Sequence, residues 1–197
     1  MFDDMDSVCV INLVDDGTIT ASGTGFLYST EGIPYVVTNK HVISVEYDSI
    51  TAIFGGVGYK VHRYGSESAH DIAVLLFDDP WNLPSAVPLS LGTSDQRCAL
   101  TLIGNIDGTG VLSMRPVDIA SASTSIYVSG IPRPETFVTF GQALVPGESG
   151  GPVIDSVGKV IGMATMNYTD DGVKVGCAIT SGTIEEALKE IIIRYES

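Results

Sequence analysis

Short runs of β-branched and apolar residues, separated by glycines and prolines, recur along this chain. The runs are Val8 to Val14, Thr18 to Tyr28, Tyr35 to Thr38, Ile72 to Phe77, Leu100 to Ile103, Val153 to Ile154, Lys159 to Ala164 and Val173 to Ile179. Its 197 residues include 22 glycines and 9 prolines, and strand-length runs bounded by such residues are typical of an all-β sandwich or barrel. Asp16-Gly17 and Asp171-Gly172, each between two runs, predict tight hairpin turns, which need positive φ.

A proline-rich segment divides the β-forming part of the chain. Residues Asp78 to Gly92 contain three prolines. Because each proline removes a backbone donor, this segment cannot be a central strand and is predicted to link two β halves. With the boundary near Ser90, we expect one half over residues 1–90 and another over 91–182.

Only the C-terminal residues, 183–197, show a helical period. Thr183 and Glu186 match a capping box, which predicts that a helix begins at Thr183 and runs to Tyr195. The apolar residues on one face are Ile184, Leu188, Ile191, Ile192 and Tyr195. Burying one such large side chain contributes about 1.5–3 kcal/mol, so we expect this face to dock on the β body.

The charge of the chain excludes several partners. Ten basic and 24 acidic side chains give a formal net charge of −14, and the pI is about 4.3. A surface field of this sign opposes binding to nucleic acid or to an anionic membrane. No signal-like segment or membrane-length apolar stretch of about 18 residues is present, which predicts a soluble, intracellular chain.

Cys9, Cys98 and Cys177 are too few and too widely spaced for a disulfide framework or a zinc site. We expect free, buried thiols, with no metal and no other cofactor.

The glycine-rich segment Pro146 to Pro152 contains the most informative residue, Ser149. A serine on a tight glycine turn exposes its hydroxyl, and neighbouring backbone N–H groups can converge on an oxyanion. Gly-x-Ser-x-Gly is also the nucleophile elbow of α/β-hydrolases, but those need a histidine after the serine, and none follows Ser149. His41 and Asp71 precede it, each at the edge of an apolar run, which gives the order His, Asp, Ser.

These three segments resemble the chymotrypsin-like serine proteases, most closely their HtrA branch. The matching motifs are Thr-Asn-Lys-His-Val around His41, His-Asp-Ile-Ala-Val-Leu around Asp71 and Pro-Gly-Glu-Ser-Gly-Gly-Pro around Ser149. The resemblance extends from about Gly23 to Thr180. It implies two six-stranded antiparallel β-barrels, a C-terminal helix, and peptide-bond hydrolysis in the cleft between the barrels.

The resemblance also implies roles for individual residues. Ser149 is the nucleophile, His41 the general base and acid, and Asp71 the group that orients His41. The backbone N–H groups of Gly147 and Ser149 form the oxyanion hole. The Thr165 hydroxyl supports Asp71, although an ordinary strand threonine is almost as good an account of that residue.

A polypeptide substrate is the partner that the resemblance implies. The expected lining of its primary specificity pocket is Ala143, Thr165, Met166, Asn167, Gly176, Cys177 and Ala178. None of these residues is acidic, so a preference for Arg or Lys is not expected, and we predict a small or medium apolar residue. Sequence leaves the oligomeric state open.

Two departures from the family pattern matter. Glu148 stands where digestive relatives use an aspartate that pairs with a newly cut N-terminus, so we expect no activation of that kind. The oxyanion loop is then either held by other contacts or mobile until substrate orders it. HtrA proteases usually carry a further peptide-binding (PDZ) domain after the protease, and only the helix is expected here.

A non-catalytic protein that uses the same fold to bind a peptide is the alternative function. His62 and His70 lie in polar stretches and are expected to be solvated loop residues, although His70 could also pack beside Asp71 without a role in the chemistry.

Overall fold

The computed structural model describes residues 4–66, 69–93, 99–129 and 134–196. Within these ranges, two antiparallel β-sheets follow one another along the chain, and the only α-helix comes last. The expected all-β architecture with a C-terminal helix is therefore confirmed. Cys98 and the side chain of Tyr195 lie outside the described part, whereas Cys9 and Cys177 are free and buried as expected.

The first sheet closes into a barrel. Its six strands are β1 (Val8–Asp15), β2 (Thr18–Thr30), β3 (Ile33–Thr38), β4 (Ser49–Phe54), β5 (Val57–Ser66) and β6 (Ala73–Phe77). They pair in the order β1-β2-β3-β6-β5-β4, and β4 returns to β1. Alternate side chains such as Ile11, Leu27 and Leu75 are buried inside the barrel, whose closure leaves no open edge.

Both predicted hairpin turns are present. Asp16 and Gly17 have φ values of 48° and 74°, and Asp171 and Gly172 have φ values of 45° and 83°. Two consecutive residues with positive φ match the right-handed twist of the flanking strands, which is why Asp-Gly is favoured there.

The second sheet differs from the expected six-stranded barrel. Its seven strands are β7 (Leu100–Asn105), β8 (Leu112–Val117), β9 (Ile119–Ile126), β10 (Glu135–Phe140), β11 (Pro152–Ile154), β12 (Val160–Asp170) and β13 (Val173–Thr180). They pair in the order β8-β7-β11-β12-β13-β10-β9, and among the described residues no ladder joins β8 to β9.

Asp118 separates two strands that pair at opposite ends of the sheet. It is the single residue between β8 and β9, its N–H donates to Gln142 Oε1 at 3.1 Å, and its carbonyl accepts from the Gly141 N–H at 3.1 Å. β8 pairs with β7 at one end of the sheet, and β9 pairs with β10 at the other.

The proline-rich segment lies between the last strand of the first sheet and the first strand of the second. Between β6 and β7 the described residues contain no strand, only an isolated bridge from Leu91 to Val160. The precise boundary near Ser90 stays a prediction. No helix in the described ranges is long and apolar enough to cross a membrane.

The C-terminal helix α1 (Ser181–Glu196) begins two residues before the expected start. Thr180 Oγ1 accepts from the Thr183 N–H at 3.3 Å, so Thr180 is the N-cap and the expected cap, Thr183, lies inside the first turn. The apolar face docks as predicted, with Ile184, Leu188 and Ile191 buried in a core cluster that also contains residues of both sheets.

Thr180→Ala should lower the free energy of unfolding by about 1 kcal/mol, because it removes the oxygen that accepts from the first helical turn. Urea unfolding followed by circular dichroism measures this loss. Glu186→Ala is the matched control, since a capping box at Thr183 would make Glu186 the more costly change. A larger loss for Glu186→Ala than for Thr180→Ala would contradict the observed cap.

Candidate active site

Neighbouring barrel strands bring His41 and Asp71 together. β3 pairs with β6, with Thr38 opposite Ala73, so residues just after β3 meet residues just before β6. His41 lies in the 3-10 turn Lys40–Ile43. Its Nδ1 lies 2.5 Å from Asp71 Oδ2, and its backbone N–H donates to Asp71 Oδ1 at 2.9 Å. The carboxylate therefore fixes both the ring and the backbone of His41.

The second sheet supplies a further contact to Asp71. Thr165, on β12, donates its hydroxyl to Asp71 Oδ2 at 3.0 Å. Asn39 Nδ2 donates to the Asp71 backbone carbonyl at 2.9 Å and to Thr165 Oγ1 at 3.2 Å. Asn39 is fully buried and belongs to the His41 motif, but sequence reasoning gave it no role. Asp71 is thus held from both sheets.

These contacts set the ionisation of Asp71. Burial raises the pKa of its carboxyl, but the hydrogen bonds and charge of His41, with the Thr165 hydroxyl, outweigh burial and hold the pKa below its usual value. Asp71 is therefore an anion at neutral pH, and an anion beside Nδ1 favours the imidazole tautomer that has its proton on that nitrogen.

Ser149 lies on a tight turn, and the conformation of this turn requires the two glycines Gly147 and Gly150. Gly147 and Gly150 have φ values of 89° and 85°. A Cβ on Gly147 would lie 1.8 Å from the Asn105 carbonyl oxygen, and one on Gly150 would lie 2.0 Å from that of Thr24. The turn is therefore packed against two backbone carbonyls.

Thr165 also contacts the serine. The Ser149 hydroxyl donates to the Thr165 backbone carbonyl at 3.4 Å. The same threonine thus accepts from Ser149 with its carbonyl and donates to Asp71 with its hydroxyl. This places the serine turn and the His41–Asp71 pair around one residue of β12.

The backbone N–H groups of Gly147 and Ser149 have no acceptor in the described part of the chain. Their neighbours do: Glu148 donates to the Val145 carbonyl at 3.2 Å, and Gly150 donates to the Ala164 carbonyl at 2.8 Å. Two donors without a protein acceptor in the described residues therefore remain on either side of Glu148.

A buried ion pair holds this loop. Glu148 is only 1% exposed, and Arg115 on β8 donates to both of its carboxylate oxygens, at 2.6 Å from Nε and 2.9 Å from Nη2. Arg115 Nη2 also donates to the Ala143 carbonyl at 3.1 Å, and the Val145 N–H donates to Glu148 Oε2 at 2.8 Å. The hydrogen bond to Glu148 raises the pKa of Arg115. Sequence reasoning found Glu148 but missed Arg115, because the two are 33 residues apart.

The residues predicted to line the specificity pocket lie on two paired strands and the serine loop. Met166 pairs with Cys177 and Asn167 pairs with Gly176 between β12 and β13. The side chains of Cys177 and Ala178 are buried in two different core clusters. Burial raises the pKa of the Cys177 thiol to about 11, so it stays protonated at neutral pH.

Leu144, a residue not predicted to line the pocket, fills the space between these strands and the loop. The Leu144 N–H donates to Asn167 Oδ1 at 2.7 Å, and Asn167 Nδ2 donates to the Leu144 carbonyl at 2.9 Å. A Cβ on Gly176 would lie 3.1 Å from Leu144 Cγ, which places this side chain directly over Gly176. Ala143, which was predicted to line the pocket, uses its carbonyl to bind Arg115.

The two remaining histidines both pair with carboxylates. His62 Nδ1 lies 2.6 Å from Asp78 Oδ1 at the surface. His70 lies in a loop, with its side chain 30% exposed and its Nδ1 2.7 Å from Oε1 of the buried Glu135. His62 is exposed as expected but lies on strand β5, so the expected loop position is wrong for His62. Within the described ranges, no group of three or more His, Cys, Asp or Glu residues is placed to hold a metal ion.

Comparison with known proteins identifies a protein family and several relatives that this sequence resembles. The sequence model of the trypsin-like peptidase domain matches residues 23–163. Serine protease Do-like HtrA of Bacillus subtilis is 29% identical over 190 residues, covering 90% of this chain and 40% of that protein. Protease Do-like 1, chloroplastic, of Arabidopsis thaliana is 29% identical over 182 residues, covering 87% of this chain and 39% of that protein. A probable periplasmic serine endoprotease, DegP-like, of Bartonella henselae is 30% identical over 181 residues, covering 87% of this chain and 33% of that protein.

The chain thus spans at most 40% of the length of these relatives. Solved structures share its fold over nearly its whole length. The active form of a protease from M. tuberculosis superposes with a TM-score of 0.78 at 23% identity, covering 95% of this chain and 82% of that one. The HtrA-type protease AlgW with a tripeptide gives a TM-score of 0.78 at 25% identity, covering 95% of this chain and 60% of that one. The likeness to HtrA proteases that three motifs indicated is confirmed, and the chain belongs to the trypsin-like peptidase family.

Proposed function

We propose that this chain is a serine endopeptidase that hydrolyses peptide bonds through an acyl-enzyme. The observation that carries the proposal is the set of contacts around Thr165. Its hydroxyl binds Asp71, its carbonyl binds Ser149, and Asp71 in turn binds His41 Nδ1. A nucleophile, a base and a group that orients the base are the parts that acyl transfer requires.

We propose the following reaction sequence. Ser149 Oγ leaves the Thr165 carbonyl and attacks the substrate carbonyl carbon while His41 Nε2 takes its proton. The Asp71 carboxylate stabilises the imidazolium. His41 then gives the proton to the leaving amine, and an ester of Ser149 remains. Water attacks that ester with His41 again as base, and the acid product and free Ser149 are released.

The oxyanion of each tetrahedral intermediate binds to the Gly147 and Ser149 N–H groups. Both donors are unused by the protein within the described residues. A donor of this kind contributes about 3 kcal/mol to the transition state, provided that it is fixed before the reaction begins.

Arg115 fixes these donors in our proposal, which removes the need for activation by a new N-terminus. Glu148 lies between the two donor residues, and its carboxylate already accepts from Arg115 and Val145. A buried carboxylate needs such partners. Of the two options left open by the sequence, a loop held by other contacts is the one that this pair supports.

For specificity, we propose a shallow primary pocket that accepts a small apolar side chain. Leu144 occupies the space over Gly176, and Asn167 ties Leu144 to β12. Leu144 therefore replaces Ala143 as the residue that limits pocket depth. None of these side chains offers a carboxylate to a basic substrate residue.

A polypeptide substrate is the partner that this function requires. The intracellular location expected from the sequence stays a prediction, and the names of the relatives place one in the chloroplast and another in the periplasm. A non-catalytic peptide-binding module remains the alternative outcome of the first experiment below.

A fluorophosphonate probe should label the wild-type chain on Ser149, because the activated hydroxyl attacks phosphorus as it attacks a carbonyl carbon. Intact-mass spectrometry measures one added probe on wild type and none on Ser149→Ala. Ser156→Ala, which changes a serine outside the site, is the matched control and should label fully. A folded wild-type chain that takes up no probe would favour the binding module.

Arg115→Lys should lower kcat by about 10- to 100-fold with little change in KM, because an ammonium cannot hold both oxygens of Glu148 and the Ala143 carbonyl together. Steady-state kinetics on a peptide substrate provide the measurement, with thermal unfolding to check the fold. Arg63→Lys makes the same change at an exposed site and should leave kcat unaltered. Wild-type kcat in Arg115→Lys would show that the pair does not fix the donors.

Leu144→Ala should deepen the pocket and shift the preferred residue from Ala or Val toward Leu or Phe. The ratio of kcat/KM for Leu over Ala should rise about tenfold or more, since each methylene in such a pocket is worth roughly 1–3 kcal/mol. Peptide-library profiling of wild type and variant measures the shift. A wild-type profile dominated by Lys and Arg would refute the proposed pocket.

A further inference from the structure

A second histidine–carboxylate pair lies directly beside the His41–Asp71 pair. His70 Nδ1 is 2.7 Å from Glu135 Oε1, and the Glu135 side chain is only 3% exposed. His70 precedes Asp71 in the chain, whereas Glu135 is the first residue of β10 in the second sheet. The proposed reaction uses neither residue.

The His70–Glu135 pair connects the segment before β6 to the second sheet. β6 begins at Ala73, so the strand ladder does not hold Asp71 in place. From the second sheet, Thr165 contacts Asp71 at its carboxylate. Asn39 holds the Asp71 backbone from the barrel side. Among the described residues, the Thr165 hydroxyl makes the one hydrogen bond from the second sheet to Asp71, so a contact from that sheet to the adjacent residue adds a second point of attachment. Glu135 supplies this second contact through His70.

The charges around Glu135 fit this arrangement. Burial raises the pKa of the Glu135 carboxyl, the His70 hydrogen bond and charge lower it, and the negative charge of Asp71 raises it again. Glu135 and Asp71 also line the same cavity of about 290 Å³, together with His41, Phe137, Thr165 and Met166. A buried carboxylate this close to Asp71 needs a donor of its own, and His70 is that donor.

We propose that His70 and Glu135 form one positioning element that holds Asp71, and through it His41, in register with the second sheet. The catalytic part of this inference rests on the proposed peptidase function. The His62–Asp78 pair provides an internal comparison, because it has the same chemistry at 2.6 Å but lies at the surface of the barrel, with both side chains about half exposed.

Kinetics on the full chain test the proposal. His70→Ala should lower kcat about tenfold or more while KM changes less than about twofold, since a small misplacement of the orienting group affects mainly the chemical step. His70→Asn, which keeps a donor at the δ position, should restore kcat to within about threefold of wild type. His62→Ala is the matched control and should retain wild-type kcat.

A double variant tests whether the two residues act as one element. Glu135→Ala should lower kcat as much as His70→Ala, and the double variant should lose no more than either single change. Additive losses, or wild-type kcat in folded His70→Ala, would overturn the proposal. Thermal unfolding of each variant identifies losses that come from unfolding alone.

Proton NMR separates this inference from the proposed function, because it needs no turnover. The proton in the short His41–Asp71 hydrogen bond should give a far-downfield resonance that is absent in Asp71→Asn. That resonance should shift or broaden in His70→Ala and stay unchanged in His62→Ala. An unlabelled, inactive wild type whose resonance still responds to His70→Ala would refute the peptidase and keep the positioning element. An unaltered resonance in folded His70→Ala would refute the positioning element.

Discussion

Hydrogen bonds from two β-sheets converge on the carboxylate of Asp71, and the candidate site exists only because they do. The barrel contributes His41 to the carboxylate and Asn39 to the backbone carbonyl of Asp71, and the second sheet contributes the Thr165 hydroxyl to the carboxylate. A half-buried carboxylate without these donors would take up a proton or draw water into the seam between the sheets. Because the donors come from both sides, the site and the packing of the two sheets depend on each other.

Other buried carboxylates near the candidate site also need hydrogen-bonded or charged partners. The chain has 24 acidic residues and only 10 basic residues with 3 histidines, so cationic partners for carboxylates are few. Two buried carboxylates, Glu148 and Glu135, nevertheless have partners of their own, Arg115 and His70. Replacing one member of such a pair leaves an uncompensated buried group and costs several kcal/mol, about 3–5 for a full charge. Replacing the partner by a similar residue, as in Arg115→Lys or His70→Asn, therefore tests its role more specifically than replacing it by alanine.

The serine turn shows how the backbone and a buried pair share one task. Gly147 and Gly150 allow the chain to pass close to the carbonyls of Asn105 and Thr24, which no residue with a Cβ permits. In our proposal, the Arg115–Glu148 pair then fixes the orientation of the peptide groups between Gly147 and Gly150. Glycine makes the conformation accessible, the ion pair would select it, and preorganised donors are the ones that stabilise a transition state.

The sequence by itself determined the class of fold and the segments that form the site. Period-two apolar runs, Asp-Gly turns and three motifs in the order His41, Asp71, Ser149 are local features, and local features can be read without coordinates. Five strands were not predicted. Two of them, β5 and β9, carry Lys, Arg, Ser or Thr on their outer faces and so lack an apolar run. The sequence pattern predicted Thr183 as the N-cap instead of Thr180, because Thr183 and Glu186 match a capping box equally well.

Only the tertiary structure decided which distant residues serve the site. Arg115, Leu144 and Glu135 lie outside the three motifs, and Asn39 lies in the His41 motif without a contact that the motif reveals, since each acquires its role from a partner on another element. Asp118, between β8 and β9, likewise contacts Gln142, which lies 24 residues further along the chain. Hydrogen bonds and ion pairs depend on distances of a few ångströms, and folding alone sets those distances between residues far apart in the chain.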